Sequence, residues 1–338
     1  MFTEKLKKIT RQEDLNASET AQIIDEIFSG SLTDAQIGAF MAALATKGET
    51  YEELAGAATA MRRKALRIET PASTIVDTCG TGGDGAKTFN ISTTTAFVVA
   101  GCGVTVAKHG NRSISSQCGS ADLLEALGMN LDLDPELVEE AVTDIGIGFL
   151  FAPKYHGAMR YAATARKEVA IRSIFNMLGP LTNPAAANCQ ILGVYAPELT
   201  EMFARSLQKL GSRRVFVVHG HDGLDEISVC APTRISELND GRIQTYDISP
   251  ERFFGEPADP EALTGGDPTE NAEMTLKILG GEKGPRRDVV LINSAAALVA
   301  AGQAEKLSDG ITVAAYAIDS GAARDKLDAL IAFTREKA

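Results

Sequence analysis

The sequence predicts an α/β fold, with a small N-terminal helical domain ahead of a larger α/β domain built on a mainly parallel central sheet. Three observations lead there. The first seventy residues carry repeated helix-start signals and little else. From residue 74 apolar runs of strand length alternate with helical segments, the pattern of βαβ units. The first of those runs leads directly into a glycine-rich loop, Gly80-Thr81-Gly82-Gly83-Asp84-Gly85.

Taken in order, the helices of the first part begin at capping boxes, in which a cap side chain and the residue three further on satisfy each other's free N–H groups. Asn16 with Glu19, Thr33 with Gln36 and Thr50 with Glu53 have that spacing. After the second, Ile37, Phe40, Met41 and Leu44 recur at i, i+3, i+4 and i+7, which makes one apolar stripe. Pro71 closes this unit. Strand-length runs are then expected at Thr74 to Asp77, Val104 to Ala107, Ile147 to Phe151, Ile191 to Tyr195, Val215 to His219 and Val289 to Ile292. A helix is expected from about Ser92 through Val99. Residues 154 to 180 read as helical and basic, with Lys154, Arg160, Arg166, Lys167 and Arg172 against Glu168, and they are placed to rejoin the N-terminal helices. The expected division is therefore 1–71 with about 154–180 in the helical domain, and 72–153 with 181–338 in the α/β domain. Residues 230 to 270, rich in proline, read as an irregular excursion with short β-like runs.

Composition narrows the function. Apolar residues make up 44% and charged residues 23% of 338, as in soluble globular proteins. No apolar run approaches the ~18 residues of a membrane span, and the N-terminus lacks the pattern of a signal peptide. Five scattered cysteines without a C-x-x-C fit a reducing cytoplasm. A net charge of −12 argues against nucleic acid or anionic membrane as partners. An anionic substrate then needs a local patch or metal ions. Such a patch is legible: Gly85 to Ala121 contains no Asp or Glu, where average usage would place about five, and holds Lys87, Lys108 and Arg112 among many hydroxyl and amide side chains.

The glycine loop matches the dinucleotide fingerprint G-x-G-x-x-G. That fingerprint wants its last glycine in the opening turn of a helix and an acid about 20 residues on. Here the helix starts later, and the next strand ends in Lys108-His109. A phosphate loop of the NTPase kind wants lysine directly after the last glycine, and Ala86 intervenes. A tight turn without ligand remains open, although four glycines in six residues carry an entropic cost a turn rarely requires. The fourth reading is a backbone cradle for phosphate or diphosphate, continued by Asn90, Ser92 and Thr93 at the following helix N-terminus. A second polar loop, Lys108 to Ser116, follows the next strand and faces the same crevice at the strand C-termini. Elsewhere Tyr155, Met159, Ala162 and Arg166 share one helical face, so Arg166 is a candidate either for a structural salt bridge or for a planar carboxylate ligand. Asp225-Glu226 read as solvated acids or as oxygen ligands for Mg²⁺. His219-Gly220-His221-Asp222 is a weaker zinc candidate, with two histidines and no third ligand.

GTGGDG, NIST, KHGNRSISS with Ser120 in QCGS, the RK pair of ATARKE, NMLGPLTNP and the LDE of DGLDEIS occur in one order and at one spacing. In this the chain resembles the anthranilate phosphoribosyltransferases over nearly its whole length. The resemblance implies transfer of the phosphoribosyl group of 5-phosphoribosyl 1-diphosphate (PRPP) to the amine of anthranilate in tryptophan biosynthesis. It also implies Mg²⁺ as cofactor and a homodimer formed through the helical domain. By matching motif positions it places PRPP on Gly80, Gly83, Asp84, Thr88, Asn90, Ile91, Ser92 and Thr93, and on Lys108, His109, Gly110, Asn111, Arg112, Ser113, Ile114, Ser115, Ser116 and Ser120. Lys108 is the implied catalytic residue, offsetting leaving-group charge. Anthranilate falls to Gly80, Asn111 and Arg166, and metal to Ser92, Asp225 and Glu226. One departure is Gly157 in KYHGAM, where the family often has proline. A pyrimidine nucleoside phosphorylase of the same two-domain plan and a non-catalytic nucleic-acid-binding relative are the alternatives. The first differs at both loops, and the second tends to lose the acids and gain positive charge.

Overall fold

The computed structural model describes residues 2–113 and 117–337. Helices α1 (Phe2–Thr10), α2 (Ala17–Phe28), α3 (Asp34–Lys47) and α4 (Tyr51–Lys64) come first. All three capping boxes form, on Asn16, Thr33 and Thr50, and an N-cap of this kind contributes about 1 kcal/mol. The box glutamate of α4 does more than cap. Glu53 is fully buried and accepts from the main-chain N–H of Thr50 at 2.8 Å, from that of Leu15 at 2.9 Å and from Lys47 Nζ at 3.0 Å. The stripe Ile37, Phe40, Met41 and Leu44 is buried as its spacing requires.

The sheet follows. β1 (Ile75–Gly80), α5 (Ile91–Gly101), β2 (Thr105–Gly110), α6 (Ser120–Ala126), α7 (Pro135–Asp144) and β3 (Ile147–Phe151) form the first half. α8 (Ala152–Tyr155), a 3₁₀ turn at Gly157–Met159, α9 (Arg160–Val169) and α10 (Ile174–Met177) then leave the sheet before β4 (Cys189–Gly193), α11 (Leu199–Lys209), β5 (Arg214–Gly220), β6 (Thr233–Asn239) and β7 (Arg242–Ile248) return to it. Strand order is β3-β2-β1-β4-β5-β6-β7. The first five run parallel and the last two antiparallel. α12 (Glu251–Phe254), α13 (Pro268–Leu279), α14 (Pro285–Ala301), α15 (Leu307–Asp319) and α16 (Ala322–Glu336) complete the chain.

Alternate strand residues face two cores. On one face Val76, Val106, Ile191, Phe216 and Val218 pack with α5, α14 and α16. On the other, Leu192, Val215 and Val217 share a cluster with α1–α4, with Ala162 and Ala165 of α9, with Ile174, Phe175 and Met177 of α10, and with Phe203 of α11. The residues around α9 and α10 thus share the apolar core of the N-terminal helices.

Three sequence expectations need correction. Val289 to Ile292 is not a strand. It lies inside α14, a 17-residue helix buried on nearly every side, and such a helix shows no apolar period to separate it from a buried strand. The excursion from 230 contains a regular hairpin, β6–β7, joined by the two residues Asp240 and Gly241 at φ 44° and 82°. Asp-Gly with positive φ at both positions is the favoured type I′ connection. Tyr155, Met159, Ala162 and Arg166 do not share one helix either. Tyr155 ends α8 and packs in a separate cluster, Met159 lies in the 3₁₀ turn, and α9 starts only at Arg160.

Candidate active site

The glycine loop leaves β1 at its C-terminal end, beside the ends of β2 and β4. Gly82, Gly83 and Gly85 take φ of 65°, 75° and 75°, a region side chains avoid. Gly80 is required for a different reason: a Cβ there would stand 2.5 Å from Asp225 Oδ2. Its sheet neighbour Gly193 would collide with the main chain of Asp225. Two paired strand-end glycines therefore let the segment after β5 lie across the tips of β1 and β4. Asp225 is fastened there, accepting from the Gly82 N–H at 3.0 Å and donating its own N–H to Asp84 Oδ2 at 3.4 Å.

Three carboxylates consequently meet beneath the loop. Burial, then repulsion from Asp84, drives the Asp225 pKa well above the carboxylate range. Burial and Asp225 do the same to Glu226, against the pull of Lys108 and of a main-chain bond from Ser92. Lys108 itself is 4% exposed and donates to the Thr78 carbonyl at 2.5 Å and to Ser92 Oγ at 3.4 Å. Burial lowers its pKa while Asp77, Cys79 and Glu226 hold it up. A single ammonium faces several acids, and a divalent cation would relieve the excess. Asp225, Glu226 and Ser92 offer the hard oxygen donors that suit Mg²⁺. Among the described residues no group of three or more His, Cys, Asp or Glu is placed to hold a metal ion. The zinc candidate fails on geometry: His219 is buried with Nδ1 2.7 Å from the Val194 carbonyl, and His221 lies 3.8 Å from Asp247.

Around α5 the polar residues divide in function. Asn90 is the N-cap residue, yet its side chain makes no cap bond. Instead it donates to the Cys118 carbonyl at 3.1 Å and accepts from Asn271 at 3.0 Å, tying the second loop to α13. Ile91 is buried and its N–H goes to Phe89 O, so its side chain belongs to the core. Thr93 is buried with its hydroxyl unpartnered. Thr88 bridges to Thr264. At the second loop Ser120 Oγ contacts both the N–H and the carbonyl of Asn111. Gly110 is needed because a Cβ would strike Ser120 Oγ and the Phe149 ring. Ser113 donates its N–H to Asp122. Ile114, Ser115 and Ser116 lie outside the described residues. Arg112 is held by acids of this chain. It bonds Asp122 at 3.0 Å and Glu125 at 2.5 and 2.7 Å, two acids just beyond the acid-free window, so its charge is neutralised locally.

Behind the loops lies a buried layer that joins residues of separate motifs. Asp77, fully buried, accepts from the His109 N–H at 3.1 Å and from Asn183 Nδ2 at 2.8 Å. Burial raises its pKa to about 6, against the pull of Lys108, Asn183 and the His109 N–H. His109 Nδ1 is 3.1 Å from the Gly179 carbonyl, and its Nε2 is 3.1 Å from His156 Nε2. A carbonyl only accepts, so Nδ1 of His109 carries the proton and His156 Nε2 is the donor to His109. His156 Nδ1 is then a bare, buried acceptor, and it has no partner. Burial lowers these histidines to about 3 and about 4, so both are neutral. Gly157 beside them opens a 3₁₀ turn, and a Cβ there would meet nothing within 4 Å.

Arg166 stands on α9, half-buried, with its guanidinium 5.8 Å from the Phe175 ring centroid. Among the described residues no carboxylate pairs with it and no hydrogen bond joins it to either loop. Burial lowers its pKa. The salt-bridge reading therefore finds no partner, and a free guanidinium remains available to a ligand.

Two family models match successive stretches of the chain. Residues 3–65 match the helical bundle domain of a glycosyl transferase family and residues 72–324 match its a/b domain. The chain is 69% identical to the anthranilate phosphoribosyltransferase of Desulfosudis oleivorans over 336 residues, 99% of each. Its structure resembles that of the anthranilate phosphoribosyltransferase from Thermus thermophilus, with a TM-score of 0.92 at 41% identity, covering 98% of this chain and 99% of the other. The Saccharomyces cerevisiae enzyme in complex with PRPP and Mg aligns with a TM-score of 0.89 at 29% identity over 98% of both chains.

Proposed function

The chain belongs to the anthranilate phosphoribosyltransferase family, and from that premise we propose that it transfers the 5-phosphoribosyl group of PRPP to the amine of anthranilate, releasing diphosphate. The observation that carries this reading is the meeting of the glycine loop, Lys108, Ser92 and the Asp225-Glu226 pair at one end of the sheet. The C1–O bond to diphosphate breaks as the C1–N bond forms, and the nitrogen then gives up a proton. An aniline nitrogen has its lone pair free at neutral pH, so attack needs placement and leaving-group stabilisation more than a strong base.

Residue roles follow from position. The main chain of Gly80, Gly83 and Asp84, with Thr88 and the start of α5 from Asn90 to Thr93, receives PRPP; the Thr93 hydroxyl is unpartnered, and Ile91 contributes main chain alone. The second loop, Lys108 to Ser116 with Ser120, closes the other side. Lys108 offsets charge developing on the diphosphate. Asn111 and Arg166, with Gly80, hold anthranilate, the guanidinium pairing with its carboxylate. Asp225, Glu226 and Ser92 would hold Mg²⁺, which would supply charge neutralisation to the leaving group. We divide the chain into a helical domain of residues 1–71 with about 154–180 and an α/β domain of 72–153 with 181–338, a division supported by the apolar cluster the helices share. A cytoplasmic homodimer is the accompanying reading. Five scattered cysteines with no C-x-x-C support the reducing compartment, and the exposed apolar side chains of Leu66, Tyr161 and Ile171 lie in and beside the helical elements. Among the described residues no helix is long and apolar enough to cross a membrane.

The test is continuous anthranilate fluorescence with purified protein. The signal should fall only when PRPP and Mg²⁺ are both present, and persistence with both supplied overturns the reading. No observation favours the phosphorylase or the nucleic-acid-binding alternative, and the chain keeps its acids and its net charge of −12.

A further inference from the structure

A loop with three glycines at positive φ has backbone freedom that must be removed before it can present N–H groups to an anion. From the sheet side, Thr81 donates its N–H to Gly193 O at 2.9 Å and Gly82 donates to Asp225. From the helical side, among the described residues, one side chain reaches it. Arg172 Nη2 donates to the Gly83 carbonyl at 3.1 Å. Its guanidinium carbon lies 3.7 Å from the centroid of the Tyr195 ring, just past the end of β4. Arg172 sits in the short link between α9, which ends at Ala170 in the left-handed conformation with φ 52°, and Ser173, the N-cap of α10. The approach is close enough that a side chain at residue 83 would strike Nη2.

Two features separate this arginine from Arg112. Among the described residues it has no carboxylate partner, whereas Arg112 is neutralised by two. Its plane is also fixed by the ring, so its edge donors have a set direction. The peptide bond turns that into a consequence for ligand binding. The Gly83 carbonyl and the Asp84 N–H belong to one planar trans unit and point opposite ways. Holding the carbonyl toward Arg172 aims the Asp84 N–H to the other side.

We propose that Arg172 is a positioning residue for PRPP: stacked on Tyr195, it fastens the glycine loop at Gly83 and leaves an uncompensated positive charge beside it. The proposal rests on the function given above. Kinetics and hydrogen exchange test it together. R172A should raise KM for PRPP about tenfold, the equivalent of one charge-assisted hydrogen bond, and move KM for anthranilate less than about twofold. Y195A should shift in the same direction, while Y195F, which keeps the ring, should match wild type. R172K restores charge without the stack and should recover less than about half of the logarithmic loss. In the substrate-free protein, amides of the 81–86 peptide should exchange faster in R172A and Y195A, with melting temperature unchanged. An unchanged KM for PRPP, an equal or larger rise for anthranilate, full recovery by lysine, or unaltered exchange of 81–86 each overturns the proposal. Because exchange is read without substrate, it decides the hold on the loop even if wild type fails to consume anthranilate, an outcome that would sink the functional reading instead.

Discussion

Asp225 and Glu226 are two acids forced together in a buried place, and their ionisation is disfavoured until a cation arrives. D225N/E226Q should therefore lose activity and regain part of it at higher Mg²⁺, while its melting temperature in chelator stays level or rises, because a buried repulsion has gone. Superimposable Mg²⁺ titrations for variant and wild type would remove the acids from the metal site. Arg166 has the opposite signature, a cation with no carboxylate partner among the described residues. R166A should raise KM for anthranilate roughly ten- to hundredfold, following the 1.5–3 kcal/mol of a charged hydrogen bond, and leave melting unchanged. A lowered melting temperature with unchanged KM would instead assign it a structural role. At this scale the sequence was legible where chemistry sits in contiguous motifs, as in GTGGDG, and opaque where the fold assembles distant residues. Asp77 on β1, His156 just after α8 and Asn183 ahead of β4 lie 27 or more residues apart, and only the fold brings them around His109. Arg172 was visible only as one of several bases. The ion pairs of Arg112 were hidden for a related reason, since Asp122 and Glu125 lie just outside the acid-free window and come back to it through α6.

At the scale of elements, short-range signals did best because the interactions they encode are local. Three capping boxes each span four residues, and each formed. Val289 to Ile292 failed because burial on all sides removes the periodicity that separates helix from strand, although Gly284-Pro285 ahead of it marks a helix start. The β6–β7 hairpin carried its signal in Asp240-Gly241, outweighed in the reading by surrounding prolines. One helix pair depends on a single missing side chain. A Cβ at Gly56 of α4 would stand 2.8 Å from Ala17 Cα at the start of α2. G56A should thus destabilise the protein by roughly 1–3 kcal/mol through overpacking, despite alanine's better helix propensity. Urea unfolding measures it, and a stabilised variant would show that α2 and α4 can part freely.

For the whole molecule, the neutral pair His109–His156 sets an acid limit. Both folded-state pKa values lie below the ordinary 6.5, at about 3 and about 4. Between those values and 6.5 the unfolded chain binds more protons than the folded one, so stability rises with pH and is lost on acidification. At pH 4.5, two units below the unfolded value, His109 alone should cost roughly 2–3 kcal/mol. H156Q keeps a donor for His109 Nε2 and removes one titrating ring, so its urea stability should fall less between pH 7 and pH 4.5 than that of wild type. Parallel losses would acquit the pair. A different consequence attaches to α9, α10, α11 and strands β4 to β6, which complete the apolar cluster of α1–α4 from far along the chain. On the ribosome α4 ends at Lys64, whereas β6 ends at Asn239. At ~5–20 residues per second, α1–α4 wait roughly 9–35 s with their apolar face unfinished. During that interval the half-built bundle should be open to chaperones. Nascent chains stalled before α9 should be cut within α1–α4 by protease, and chains stalled well beyond Asn239 should resist.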